Sequence, residues 1–247
     1  MSVINEIKCS HCGAPLAFEP GEMLATCKYC GYTVLIETGE PFTLEHSLII
    51  NKFDQTQVEK PIRDWMRGGF LKPSDLAKKA NLTEKNLVYL PLWVVSVYAT
   101  STYKGVFERI APAISKEGKI EKDYDWLVLA RKTAVFPTRE YKVPLEGKIP
   151  YDFRKIEPFA RVLNSEIDKT EAEEQARQEI DENHRFLAGQ DIDKIVAFKT
   201  EIKVEQTVYL HVPIWFIKYE YKGKDYHLLI EGTAGTAVRG DIPSIKL

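Results

Sequence analysis

All four cysteines of the chain fall in one stretch, CSHCGAPLAFEPGEMLATCKYC at residues 9 to 30, as two C-x-x-C pairs. Each pair forms a short loop that can aim two sulfurs at one tetrahedral centre. Cys9, Cys12, Cys27 and Cys30 are therefore the expected ligands of one structural zinc ion. Gly13 and Gly31 follow the pairs and permit the positive-φ turn that lets amide N–H groups point back at sulfur. A segment of this size cannot bury enough apolar surface to fold alone. Metal binding, worth roughly 10–16 kcal/mol in zinc-finger peptides, would supply its folding free energy. A disulfide framework needs an oxidising compartment, and the opening MSVINEIK has no apolar core for export, so a cytoplasmic location is expected. A thioredoxin-type pair would need a helix after the reactive cysteine, whereas Cys30 leads through Gly31 into the β-rich YTVLIE. His11 lies inside the first loop and reads as an exposed tip residue, because four sulfurs already complete the shell.

Around the cysteines, PLAFEP, MLATC and YTVLIE read as short strands, the layout of a zinc ribbon over residues 1–40. Further along, YLPLWVVSVYA at 89–99 and HVPIWFIKYEY at 211–221 share an apolar-Pro-apolar-Trp opening, with Pro91 and Pro213, and Trp93 and Trp215, each 122 positions apart. Strand parity puts Trp93, Val95, Val97 and Ala99 on one face, and likewise Trp215, Ile217, Tyr219 and Tyr221. The prolines are expected at strand starts, where a missing N–H costs no ladder bond. A helical pattern precedes each motif. Val58, Ile62, Trp65 and Met66 share one face ahead of Gly68-Gly69; Ala172, Ala176 and Ile180 share another, with a capping box from Thr170 to Glu173 and a stop at Ala188-Gly189. The expected fold is α+β: an N-terminal zinc ribbon followed by two related helix-plus-antiparallel-sheet units, at 41–157 and 158–247. Leu92, Val94, Ile214 and Phe216 make the strand beginnings apolar on both faces, so another layer or a second chain should cover them, and a homodimer is an expectation.

Charge and composition narrow the function classes. With 44% apolar and 28% charged residues the chain is expected to fold. Its longest apolar stretch, LVYLPLWVVSVYA, is too short for a bilayer and contains Pro91, so no membrane span is expected. Residues 1–40 hold two lysines against five glutamates, and zinc on four thiolates makes the ribbon more negative still, which suits phosphate binding poorly. Catalytic candidates do not converge: His46, His184, His211 and His227 fall in different segments, with no H-E-x-x-H and no G-x-S-x-G. His227 alternates with Asp225, Leu229 and Glu231, which could hold a metal or a proton-transfer pair, although an exposed strand histidine is the simpler reading. The basic residues Arg139, Lys142, Lys148, Arg154 and Lys155 motivate a nucleic-acid alternative.

The paired C-x-x-C, the YLPLW that follows a helix and KPSD, and the ending VPIWFIKYEYKGKDYHLLIEGTAGTAVRGDIP together resemble a family of prokaryotic zinc-ribbon proteins of unassigned function, whose ribbon is of transcription-factor type. In that family the tail carries Asn and Thr where this chain has Glu231 and Ala234; Gly232 and Gly235 remain. A replication-restart helicase label attached to some members has no counterpart here, as no phosphate-cradling GxxxxGK[ST] loop is present. The helix-then-meander ending also resembles small cystatin-like and PepSY-like binding modules. The expected function is a non-enzymatic zinc-binding scaffold or adaptor that recognises a protein partner. The alternative is a nucleic-acid-binding accessory factor in transcription or replication.

Overall fold

Two strands of unusual length organise the molecule: β4, Asn81–Phe107, and β8, Lys194–Tyr221. They pair antiparallel from Asn81 opposite Glu220 to Val106 opposite Lys194. At about 3.3 Å per residue each spans roughly 90 Å before twist shortens it. The computed structural model describes residues 7–36, 45–69, 71–109, 111–132, 134 and 136–244. The outer edge of β4 carries β7 (Arg161–Val162, parallel) and then β5 (Ile114–Leu129, antiparallel). The outer edge of β8 carries β3 (His46–Ile49, parallel) and then β9 (Lys224–Glu231, antiparallel). Strand β6 (Lys148–Pro150) adds to β3 and β10 (Ala237–Gly240) to β9, completing a mixed sheet of eight strands. A separate hairpin joins β1 (Leu24–Thr26) to β2 (Thr33–Leu35).

This architecture overturns the expected α+β fold of a ribbon followed by two helix-plus-sheet units. The protein is mostly β, 45% strand against 19% helix, with one large curled sheet and three α-helices among the described residues: α1 (Glu59–Arg67), α2 (Leu76–Lys79) and α3 (Lys169–Asp191). The physical reason lies in the ladder. Hydrogen bonds that would have closed two sheets are made between the halves of the chain, and the segments KIVAFKTEIKVE and YLHVPIWFIKYEY run on as one strand. The expected boundary between residues 40 and 41 lies outside the described residues, as does most of the MSVINEIK opening.

The two proline motifs face each other at the middle of the sheet. Leu90 pairs with Val212, which lies 122 positions on, and the contacts either side repeat: Leu48 of β3 sits beside His211, and Val162 of β7 beside Tyr89. Neither proline starts its strand. Pro91 falls between the end of β7 at Tyr89 and the start of β5 at Leu92, and Pro213 between β3 at His211 and β9 at Ile214. The Pro91 carbonyl accepts from the Ala130 N–H and the Pro213 carbonyl from the Gly232 N–H, so the backbone of each proline aims at the outer edge. Its missing N–H therefore falls in the gap between two outer strands, and the central ladder loses nothing.

The helices lie on one face. Beneath α1 and α2 sit Leu87, Tyr89, Trp215, Ile217, Tyr219 and Tyr221; beneath α3 sit Trp93, Val95, Val97 and Ala99. The parity expected around each tryptophan therefore holds. Helix α3 starts at Asp168, whose carboxylate accepts from the Glu171 N–H at 2.8 Å, two residues before the expected cap. It buries Ala172, Ala176, Ile180, His184 and Ala188, a stripe narrow enough for the helix to lie close to the sheet. On the opposite face, Leu92, Val94 and Ile214 are covered by Phe136, Tyr141, Val143 and Leu145 of the same chain. The layer that covers them comes from the chain itself. No helix of the described residues is long and apolar enough to cross a membrane.

Candidate metal centre

The four cysteine sulfurs all lie within 4.8 Å of one another, with Cys9 and Cys30 at 3.5 Å and Cys12 and Cys27 at 3.7 Å. Zinc–sulfur bonds of about 2.3 Å in a tetrahedron require sulfurs about 3.8 Å apart, so the group fits one ion of that size. The two loops are built alike. Gly13 N–H bonds the Cys9 carbonyl and Gly31 N–H the Cys27 carbonyl, both at 2.8 Å, while Cys9 N–H and Cys27 N–H reach Ala14 and Tyr32 carbonyls at the same distance. Both glycines have positive φ, +72° and +77°, which β-carbon sterics penalise in other residues. Cys9 and Cys27 are buried and Cys12 and Cys30 exposed, so the cluster sits at the surface with one side open. His11 is exposed and stacks on Tyr32, as expected of a tip residue.

The hairpin is fixed to the sheet by buried polar contacts. Arg131 donates to Glu22 at 2.6 Å and lies 3.1 Å from Glu166, and all three side chains are at most 7% exposed. Asn164 donates to Glu22 and accepts from the Thr26 N–H, and the Ser165 carbonyl accepts from Met23 and Leu24. Leu24 enters the core beside Trp93. Glu19 pairs with Arg161 and Arg131. Two of the five acidic residues of this segment thus face the body and not an outside partner.

A chain of hydrogen bonds runs from the hairpin to the middle of the sheet: Thr26 to Thr33 (3.0 Å), Thr33 to His46 Nδ1 (2.9 Å), His46 Nε2 to His211 Nδ1 (2.9 Å), and His211 Nε2 to the Leu163 carbonyl (2.8 Å). The last acceptor sets every direction. His211 must donate from Nε2, so its Nδ1 accepts from His46 Nε2–H, and His46 Nδ1 accepts from the Thr33 hydroxyl. Both rings are neutral in this arrangement. Burial holds His46 well below the ordinary imidazole range, with the neighbouring His211 adding to the effect, and burial lowers His211 to about 4.

The remaining candidates do not converge. His227 is exposed and faces Asp241 at 3.4 Å. Glu231 is buried and accepts from the Thr233 N–H and hydroxyl and from the Ala234 N–H, bracing the turn; Asp225 pairs with Lys218. Of the basic residues, Arg139 bonds Glu179 and covers Trp126, Lys148 bonds Glu45, and Arg154 bonds Asp152. His184, which the sequence sets apart from the other histidines, belongs to the α3 stripe. It is fully buried between Ser101 and Tyr124, at 2.8 and 2.9 Å, and its four-residue spacing from Ile180 was the signal that it belongs to the helix stripe. No family model matches the chain, and no curated protein or solved structure matches it. What stands of the family resemblance is the group of four cysteines able to hold a metal ion.

Proposed function

We propose that Cys9, Cys12, Cys27 and Cys30 bind one structural zinc ion and that the hairpin they close is a docking element of a non-enzymatic scaffold that recognises a protein partner. The observation that carries this reading is the sulfur cluster itself, tetrahedral in spacing and approached by two matched loops. Zinc is favoured over other ions because an all-thiolate tetrahedron suits a soft, redox-inert d¹⁰ cation. Partner recognition is supported by the groove of about 610 Å³ beside the second loop, lined by Tyr29, Ile149, Tyr151 and Phe153, with Tyr29 62% exposed. Aromatic side chains on a rigid mount are the usual anchors of protein interfaces. The nucleic-acid alternative draws less support, since carboxylates already engage three of its five basic residues.

Metal analysis of purified protein tests the first half: about one zinc per chain is expected, and less than about half an equivalent would overturn it. Crosslinking in cells with a photoreactive residue in place of Tyr29 tests the second half. Recovery of a discrete protein adduct supports the reading, and recovery of nucleic acid alone overturns it.

A further inference from the structure

Among the described residues, the first half of β8 has a hydrogen-bonded neighbour on one side only. Strand β4 covers one edge throughout, β3 begins opposite Tyr209, and among the described residues no strand pairs with the other edge from Lys194 to Gln206. The Ile202 carbonyl takes a hydrogen bond from Arg177 of α3 at 2.7 Å, which marks it as aimed away from β4. The ladder to β4 shifts register at Val196 and again at Glu205, and between those points strand periodicity aims the backbone groups of Phe198, Thr200 and Val204 outward too. Val196 is 68% exposed. An open edge of this length with apolar residues is a template for another strand.

We propose that this edge pairs antiparallel with the same edge of a second copy, about a two-fold axis at Thr200. Three features of the stretch favour a copy of itself. Thr200 is the midpoint of the open edge and lies in its regular stretch between Ala197 and Val204, so the pairing stops short of β3 in both copies. About that centre Phe198 falls opposite Ile202 in both halves of the pairing, so apolar residues meet apolar residues on the α3 side of the sheet. On the other side Lys199 falls opposite Glu201, and Glu201 opposite Lys199. Moving the centre to Lys199 or Glu201 sets like charges opposite each other, and moving it to Ile202 drives the copy into β3. The Ile202 carbonyl keeps a second lone pair for the partner strand while Arg177 holds the first. The interface is isologous and therefore closes at two copies. It relocates the expected homodimer from the sheet faces, which the chain covers itself, to a sheet edge.

Sedimentation velocity on the full chain at about 50 mM salt, where ion pairs are least screened, tests the proposal. A species of twice the 28.3 kDa chain mass is expected. Lys199→Glu and Glu201→Lys each place like charges across the axis; the two side chains, 74% and 71% exposed, pair with each other within the chain at 2.6 Å, a surface contact that contributes little to the fold. Each variant alone should dimerise more weakly, on the order of tenfold, and an equimolar mixture of the two should recover association as a heterodimer. A wild-type chain that stays monomeric at about 100 µM, far above the dissociation constants of specific dimers, overturns the proposal. A dimer indifferent to both variants, or a mixture that fails to recover, also overturns it.

Discussion

At the scale of single residues, the buried His46–His211 pair makes the most exposed claim. Both rings are neutral in the folded chain, and His211 takes up a proton only near pH 4. The unfolded chain protonates the same rings near pH 6.5. Between those values the unfolded state holds more protons, so stability is fully present above about pH 6.5 and declines as the pH falls toward 4. A depression of that size at one site corresponds to about 3 kcal/mol. Urea unfolding of zinc-saturated protein at steps from pH 7.5 to 5 should show this decline. His211→Gln can still bond Leu163 but cannot titrate, and it should flatten the slope; an unchanged slope would show that the pair is not the source. Glu231 is a second case. Its carboxylate serves three donors in the turn that follows, and Glu231→Ala should cost about 1–3 kcal/mol for leaving them unpaired. Neither role was legible beforehand. Histidines 165 positions apart, or a turn braced by the residue before it, give no periodic signal in a sequence.

Among the elements, what periodicity could express was legible and what depended on pairing was not. The face of α1 with Ile62 and Met66 and the stripe of α3 followed from helical spacing, and the tryptophan faces from strand parity. Strand length was misread because Pro91 and Pro213 look like strand starts, and only the positions of β3, β5, β7 and β9 reveal the gap that accommodates them. In Pro91→Ala the restored N–H points to the outer edge beyond the end of β7, where the nearby Leu163 carbonyl already accepts from His211 Nε2, so little is gained in bonding while the unfolded chain becomes freer. The variant should lose about 0.4–1 kcal/mol, measured by chemical denaturation, and a gain in stability would mean that the gap is not there. The seating of the hairpin turns on Arg131, which has a buried glutamate on each side. Arg131→Met leaves Glu22 and Glu166 buried without their cation and should cost about 3–5 kcal/mol. Hydrogen exchange should rise first at Met23, Leu24 and Thr26, whose amides bond Ser165 and Asn164.

For the whole molecule, the question is how far the sheet depends on the cysteine cluster. The main cores around Trp215, Trp93 and Leu210 draw on the long strands and the helices, and of the hairpin only Leu24 and Leu35 enter them. The hairpin has its own small cluster of Cys9, Leu16, Ala25, Cys27 and Val34, too little apolar surface to hold a fold unaided. The two bodies should therefore lose structure separately. Stripping the metal with a chelator under a non-thiol reductant, which leaves the four sulfurs as free thiols, should abolish amide protection across residues 7–36, while β4 and β8 keep theirs near Leu90 and Val212, deep inside the ladder. The intermediate case is informative: His46 and Ser165 touch the hairpin directly, so protection at His211 and at the amides around Asn164 should fall by an intermediate amount. Hydrogen exchange read by mass spectrometry distinguishes these outcomes in one experiment. Uniform loss of protection through β4 and β8 would mean that the cluster holds the entire fold together. Unchanged protection across 7–36 would mean that the hairpin stands without metal, and that four clustered sulfurs serve some purpose other than closing it.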